Sequence, residues 1–230
     1  MKERPILFSS PMVRAILAGR KTQTRRIVKP APPEWCGEAH HRGEADWYLT
    51  ESPIPFNAFD AKCPYGQPGD RLWVRETFYC DMLPFADGGP LPKDKPDWAD
   101  DNLYYRADGT CCQIIPECSC AEVGKPKFRP SIHMPRWASR ITLEVVSVRV
   151  ERLSEITEAD AIAEGIVHDH LWDRANSPSD RLTYVGCGET FATAVEAYQH
   201  LWGSINGPGS WEANPWVWVV EFKRVETQTA

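Results

Sequence analysis

The stretch RITLEVVSVRVERLSEITEADAIAEGI, residues 140–166, decides the fold class. Its first half, residues 140–153, is dense in β-branched side chains and predicts a long strand. Its second half predicts a helix that Thr157 caps and Gly165 ends. A long strand that runs directly into a short helix indicates a protein of mixed α+β class.

Helices and strands of the same kinds are predicted towards both ends of the chain. Residues 9–19 predict a short helix with Ser10 as its cap, and residues 190–205 predict an amphipathic helix. Residues 21–28, KTQTRRIV, and residues 215–225, PWVWVVEFKRV, predict strands. Further strands are predicted around residues 72–74 and 103–109.

Segments rich in Pro, Gly and charge separate these elements. They lie near residues 29–65, 81–130 and 166–188, and they predict long loop insertions. At 230 residues the chain suits one domain that carries such insertions, so we expect a single domain over residues 1–230. Several strands with few helices favour a small β-barrel with flanking helices.

Charge and hydropathy argue against two classes of protein. The formal net charge of -6 disfavours general nucleic-acid packaging, which needs many phosphate contacts. No apolar run approaches the ~20 residues that span a bilayer, and MKERPILFSS lacks the apolar core of a signal peptide. We therefore expect a cytoplasmic protein with no membrane partner. A local basic pocket stays compatible with the charge, because four basic residues lie close together: Arg20, Lys21, Arg25 and Arg26.

The eight cysteines raise the question of a metal. Disulfides are not expected in a cytosol that keeps thiols reduced. The segment CCQIIPECSC could supply the four thiolates of a structural zinc site, from Cys111, Cys112, Cys118 and Cys120. Their spacing is not that of a zinc ribbon, so thiols without a metal are the alternative. Other candidate ligands are Cys36, Cys63, His40 and His41.

The segment AILAGRKTQTRRIV, residues 15–28, concentrates polar groups directly after an apolar helix. One interpretation is a solvated strand edge, and the other is a catalytic corner that faces a polar substrate. Strand alternation would place Lys21 and Gln23 on one face and Thr22 and Thr24 on the other. A turn or twist before the strand would let Lys21 and Thr24 converge.

Three segments, in this order, resemble a known family. ILAGRKTQTRR, SEITEADAIAEGI and WVVEFKRV are similar to motifs of the ASCH family, a branch of the PUA-like β-barrels. Within that family they resemble the small bacterial N4-acetylcytidine amidohydrolases, with their A-G-R-K-T-x-T-x-R motif, L-T-E-x-x-A-x-x-E helix and V-x-E-F-K strand. The additional segments PGDRLWVRE and RPSIHMPRWASRI are similar to a longer phage or prophage subgroup.

The resemblance implies a hydrolase that cleaves the exocyclic amide of N4-acylated cytosine or cytidine without a catalytic metal. Lys21 then matches the family's amine, Thr24 its nucleophilic hydroxyl and Glu164 its carboxylate. Either Glu164 takes the proton of Thr24, or a neutral Lys21 does so while Glu164 orients it. The alternative is that Lys21 and Thr24 are surface groups and that Glu164 is an exposed glutamate of a last helical turn.

The predicted substrate contacts come from the last arginine of the first motif and from two later segments. Arg26 aligns with a family arginine and could bind a base carbonyl or a sugar hydroxyl, or it could pair with Glu76 or another carboxylate. Glu76, in the segment LWVRE, is itself a predicted substrate contact. Trp73 and Arg75 share a strand face that could hold a pyrimidine ring, although core packing would also explain Trp73. Further pocket-wall candidates lie in the Pro-bounded loop: Ser131, His133 and Trp137.

A second class of function stays open at this point. PUA-like barrels commonly recognise RNA or a modified base, so an RNA- or modified-base-binding module without amidase activity is the alternative, with ribonuclease activity as a further variant. The acidic net charge weighs against broad RNA affinity. The expected partner is therefore a small modified nucleoside or base, with RNA as the alternative.

Overall fold

The computed structural model describes residues 1–42, 46–51, 58–81, 89–109, 127–168, 184–186 and 189–225. In chain order its elements are β1 (Glu3–Leu7), α1 (Ser10–Leu17), β2 (Gln23–Ile27), β3 (Glu38–His41), β4 (Asp46–Thr50), β5 (Ala58–Lys62), β6 (Arg71–Arg75), β7 (Phe78–Cys80), β8 (Leu103–Tyr105), β9 (Thr142–Arg152), α2 (Glu158–Ala163), β10 (Val167–His168), β11 (Tyr184–Gly186), β12 (Glu189–Phe191), α3 (Ala194–Asn206) and β13 (Trp216–Val225). The mixed α+β class is therefore confirmed.

The chain divides into two compact units. The first contains residues 1–18 and 70–144 with the end of the chain, and the second contains residues 19–69 and 145–223. Strand β9 begins in the first unit and continues in the second. This division into units does not test the expectation of a single domain over residues 1–230, which stays a prediction.

In the first unit, β6 lies between β1 and the start of β9. It runs parallel to β1, where Ile6 pairs with Val74, and antiparallel to β9, where Leu72 pairs with Leu143. These four side chains are buried. A smaller buried cluster of Phe78, Met134 and Ala138 completes the apolar interior of this unit.

Helix α1 differs from its prediction in its cap. The N-cap residue is Ser9, not Ser10, and it makes no side-chain capping hydrogen bond. Pro11 stands in the first turn of the helix, where a residue needs no helical partner for its backbone N–H. Gly19 follows the helix at a φ of 71°, a left-handed conformation that glycine adopts without strain.

In the second unit, β13 lies between β9 and β2. It runs antiparallel to β2, and Thr24 pairs with Val220 in this register. Helices α2 and α3 pack with β13 in one apolar cluster that includes Ala161, Ala197, Trp202, Val217 and Val219. Thr157 caps α2 and Gly165 follows it at a φ of 100°, so both predicted ends of this helix are confirmed.

The loop prediction for residues 29–65 is wrong in part. Strands β3, β4 and β5 form an antiparallel sheet there, and Leu49, which pairs with both Ala39 and Phe59, is fully buried. The strands are four or five residues long and carry interleaved charges, which hides their period. Strands β10 and β11 likewise occupy parts of the predicted 166–188 insertion.

The predicted barrel is not seen as a closed structure in the described part of the chain. The strands there form open sheets, ordered β10-β11-β12, β3-β4-β5 and β7-β8, in addition to the sheet to which β9 belongs. Among the described residues, no helix has the length and apolarity that crossing a membrane would require.

Candidate active site

Backbone hydrogen bonds bring the start of β2 to the end of α2. The N–H of Thr22 donates to the carbonyl of Ala163 at 2.9 Å, and the carbonyl of Thr22 accepts from the N–H of Phe222 at 2.8 Å. Lys21 stands beside this junction, and Glu164 is the C-cap residue of α2. The strand predicted from residue 21 begins at Gln23, because the N–H of Thr22 is bonded to the helix.

Lys21 and Glu164 form a buried ion pair. The ammonium Nζ of Lys21 donates to Oε2 of Glu164 at 2.6 Å and to the backbone carbonyl of Glu164 at 2.9 Å. The two side chains are 0% and 3% exposed. A buried pair of this kind costs desolvation that its attraction only partly offsets, so stability alone is a weak reason for it.

Burial lowers the pKa of Lys21 from its ordinary value of 10.5. The carboxylate of Glu164 opposes this change through its charge and its hydrogen bond, and the nearby charges of Arg26 and Arg25 add to the lowering. The site therefore makes the neutral amine of Lys21 easier to reach than it is in water.

Thr24 lies in the middle of β2 and is 3% exposed. Strand alternation places it on the face of β2 opposite Gln23 and Arg25. The structure thus brings two of the three predicted catalytic residues into direct contact and buries the third in the adjoining strand. The surface interpretation of Lys21, Thr24 and Glu164 is wrong, since all three are buried.

Arg25 contributes a charge that the predicted site did not include. Its guanidinium is 0% exposed, and Nη2 lies 2.5 Å from Oε1 of Glu151 and 3.3 Å from Oδ2 of Asp160. Its other terminal nitrogen, Nη1, lies 3.6 Å from Oε1 of Glu164. Arg25 therefore links the ion pair of Lys21 and Glu164 to two further carboxylates.

Arg149 binds the same two carboxylates from the more exposed side. It lies 3.0 Å from Glu151 and 2.9 Å from Asp160, and it also pairs with Glu221. Burial raises the pKa of Asp160, but hydrogen bonds from Thr157 and the charge of Arg25 outweigh it and hold that pKa at about 2. Asp160 is therefore ionised across the physiological pH range.

Regular spacing could have identified these additional residues. Gln23 and Arg25 are two apart in a strand, as are Arg149 and Glu151, so each pair shares a face. Asp160 and Glu164 are four apart on one helical face. Each spacing is visible in the sequence. That these faces of β2, β9 and α2 contact one another is shown only by the ion pairs in the folded structure.

Two tyrosines adjoin the arginines of this unit. Burial raises the pKa of Tyr198 well above 10.0, and the charge of Glu164 adds to this effect while Arg25 and Arg26 oppose it. Burial also raises the pKa of Tyr65, against the charge of Arg26. Arg26 itself directly follows Arg25 in β2 and is half-buried.

Trp73 and Arg75 lie on one strand face, as predicted. The guanidinium carbon of Arg75 stands 4.8 Å from the ring centre of Trp73, and its Nε donates to the carbonyl of Met134 at 3.1 Å. The arrangement provides a cation over an aromatic plane. Trp73 is 8% exposed, which is what the core-packing alternative requires.

Glu76 is bound by an arginine of its own unit. Both of its carboxylate oxygens accept from Arg140, at 2.9 and 3.1 Å, and Arg140 also binds Asp108. Burial raises the pKa of Glu76, and Arg140 opposes the rise. The bidentate pair gives Glu76 a structural role in the first unit.

The Pro-bounded loop places its three candidates in different settings. Ser131 and His133 begin and end a short 3₁₀ helix, where Ser131 is half-buried and His133 is exposed. Trp137 packs edge-on against Trp98 at 6.2 Å, and its indole N–H donates to the carbonyl of Pro92 at 3.0 Å. Trp137 is therefore held by packing within its unit.

The predicted zinc ligands Cys111, Cys112, Cys118 and Cys120 lie outside the described residues. Within the described ranges, no group of three or more His, Cys, Asp or Glu side chains is arranged to hold a metal ion. Of the other candidate ligands, His40 bonds Thr50 at 2.9 Å and His41 packs on Trp47. The structural zinc site stays a prediction.

Comparisons of the chain with protein-family models, with curated proteins and with solved structures found no match. The assignment to the ASCH family therefore stays a prediction from its motifs.

Proposed function

We propose that this protein is an amidohydrolase that cleaves the exocyclic amide of N4-acylated cytosine or cytidine. The observation that carries the proposal is the buried hydrogen-bonded pair of Lys21 and Glu164. Lys21 precedes Thr24 by three residues in the chain. A buried lysine whose pKa is lowered is the kind of group that serves as a proton acceptor near neutral pH. Membership of the ASCH family, with its PUA-like fold, is part of the same proposal.

The proposed reaction begins with proton transfer from Thr24. The hydroxyl oxygen of Thr24 attacks the amide carbonyl carbon while its proton passes to the neutral amine of Lys21. This step requires that the turn before β2 brings Nζ of Lys21 round to the face of the strand that carries Thr24. The tetrahedral intermediate then loses the N4 amine, which takes the proton from Lys21, and an acyl-threonine ester is left. Water attacks this ester while Lys21 accepts its proton, and Lys21 returns that proton to Oγ of Thr24 as the ester bond breaks, so that a carboxylic acid, free Thr24 and neutral Lys21 are formed.

The lowered pKa of Lys21 supports the assignment of Lys21 as the base. Glu164 then orients the amine, since its carboxylate and its backbone carbonyl both accept from Nζ. The opposite assignment, with Glu164 as the base, predicts that Glu164→Gln abolishes turnover while Lys21→Met leaves part of it. The two variants measured together distinguish the assignments.

Arg26 is the proposed substrate contact in the unit that contains the ion pair. Its guanidinium could donate to the base carbonyl or to a sugar hydroxyl. Trp73, Arg75 and the three loop candidates stay predictions as substrate contacts. Glu76 and Trp137 are weaker candidates, because Arg140 and Pro92 already occupy their polar groups.

The binding-module alternative uses the same basic segment to contact phosphates. Lys21 is poorly suited to that task, because its ammonium is 0% exposed and bound to Glu164. An enzyme with a nucleophile-and-base pair explains this burial better than an RNA-binding surface does.

The test is the hydrolysis of N4-acetylcytidine by the purified protein, followed through the ultraviolet change of the base. We expect turnover in the wild type and its loss in Thr24→Ala. The matched control is Thr22→Ala, because Thr22 is exposed and its hydrogen bonds to Ala163 and Phe222 at the helix junction are made by its backbone. Equal loss in both variants, or tight RNA binding without any turnover, would reject the proposed activity.

A further inference from the structure

Arg25 occupies a position that the A-G-R-K-T-x-T-x-R motif leaves unspecified. Its side chain is completely buried and lies within 3.6 Å of carboxylate oxygens from β9 and α2. A buried guanidinium needs such partners, because an unpaired charge in the protein interior is very costly. The position therefore holds a fixed positive charge next to the pair of Lys21 and Glu164.

The contacts of Arg25 are unequal. Nη2 binds Glu151 at 2.5 Å and approaches Asp160 at 3.3 Å, whereas Nη1 stands 3.6 Å from Glu164. Nη1 and Nε of Arg25 and Oε1 of Glu164 are all buried and find no hydrogen-bond partner among the residues that the structure describes. Glu151 and Asp160 thus hold the guanidinium in place. Its interaction with Glu164, across 3.6 Å, is electrostatic and is too long for a hydrogen bond.

We propose that Arg25 is a positioning residue that holds Glu164 towards Lys21 and disfavours the ammonium form of Lys21. Its positive charge attracts the outer oxygen of Glu164, which leaves Oε2 directed at Nζ of Lys21. The same charge repels a second cation nearby. The catalytic consequence rests on the proposed amidase function, but the electrostatic coupling can be measured without it.

The groups around Lys21 and Glu164 set the direction of the expected change. Lys21 faces Glu164, Arg25 and Arg26, while Glu164 faces Lys21, Arg25 and Tyr198. Removing Arg25 takes a cation away and leaves the charges of Glu151 and Asp160 less compensated. Both changes favour the ammonium, so the pKa of Lys21 should rise.

The experiment measures the pKa of Lys21 by NMR titration of ¹³C-labelled lysine side chains, with the resonance assigned from Lys21→Met. Arg25→Met should raise the pKa of Lys21 by roughly one pH unit, and Arg25→Lys should raise it by less than half as much. The matched control is Arg149→Met, which removes a cation from the same carboxylates, Glu151 and Asp160. This variant keeps the charge of Arg25 beside Glu164. The control should raise the pKa of Lys21 much less than Arg25→Met does, because it leaves Glu151 and Asp160 less compensated but keeps the cation beside Glu164.

A second readout links this coupling to the reaction. The acidic limb of the pH profile of kcat/KM on N4-acetylcytidine should move to higher pH together with the pKa of Lys21. At pH values below that pKa, kcat/KM of Arg25→Met should therefore be about tenfold lower than that of the wild type. Arg25→Lys should restore most of it. An unchanged pKa in Arg25→Met overturns the inference even if the wild type is active. An inactive wild type with the expected pKa change rejects the amidase proposal and keeps the coupling.

A folding defect in Arg25→Met does not block the test. The double variant Arg25→Met/Glu151→Gln removes the cation together with the carboxylate it binds most closely. It should still raise the pKa of Lys21, by less than Arg25→Met alone, because Glu151 no longer adds an uncompensated negative charge. A double variant in which that pKa matches the wild type overturns the inference.

Discussion

Replacing Glu164 by Gln keeps the shape of the side chain and removes its charge. The ammonium of Lys21 then stays buried against a neutral amide, because both side chains are essentially unexposed. Breaking a buried pair by neutralising one partner costs about 3 kcal/mol or more. In a chain of this length that corresponds to a fall of roughly 6–12 °C in the unfolding midpoint.

The loss of stability should depend on pH with a definite sign. Glu164 opposes the lowering of the Lys21 pKa, so its neutralisation lowers that pKa further. Between the lowered pKa and the unfolded value of 10.5, the unfolded chain binds more protons, and stability rises with pH. The deficit of Glu164→Gln is therefore largest near neutral pH and shrinks as the pH approaches 10.

Denaturant unfolding of the wild type and Glu164→Gln at several pH values between neutrality and 10 measures this deficit. The matched control is Glu34→Gln, the same change at an exposed position of the same unit, and it should cost little. A variant as stable as the wild type at neutral pH, or a deficit that grows with pH, would refute the reasoning about the buried pair.

Three further predictions concern other charged groups and the cysteines. Asp160→Asn should lower the free energy of unfolding by about 2 kcal/mol at neutral pH. In the wild type, the contribution of Asp160 to that free energy should be lost as the pH falls from the unfolded pKa of 3.8 through the folded pKa of about 2, and urea titrations in acid will measure this loss. Arg140→Met should cost about 3 kcal/mol by stranding the Glu76 carboxylate, and calorimetry should find the deficit smaller in acid, where Glu76 protonates. If the cysteine segment binds zinc, elemental analysis should find about one metal per chain, and chelation should lower stability without abolishing turnover; metal-free protein of equal stability would dismiss the site at Cys111, Cys112, Cys118 and Cys120.

The elements with strong periodicity were predictable from the sequence. The β-branched run that forms β9 and the closing strand β13 carry their signal locally, as does the capped helix α2. The strands around Leu49 were not predictable, because four- and five-residue segments gain their stability from each other and show little period of their own. Ser9 could not be distinguished from Ser10 as the cap, since both residue types suit that position.

The site was predictable as a set of residue types and only partly as a geometry. The motifs identified Lys21, Thr24 and Glu164, and the buried contact between Lys21 and Glu164 agrees with that grouping. They gave no sign of Arg25, whose importance depends on carboxylates 126 and 135 positions away in the chain, Glu151 and Asp160. Charge compensation between distant segments is a property of the assembled sheet and helix.

The most direct measurement is peptide mapping by mass spectrometry after rapid acid quenching of the protein with N4-acetylcytidine. The account predicts an acetyl group on Thr24 that forms before free acetate and is absent from Thr24→Ala. Steady turnover in Thr24→Ala, or hydrolysis with no acetylated residue and an intact rate after Lys21→Met, would contradict it.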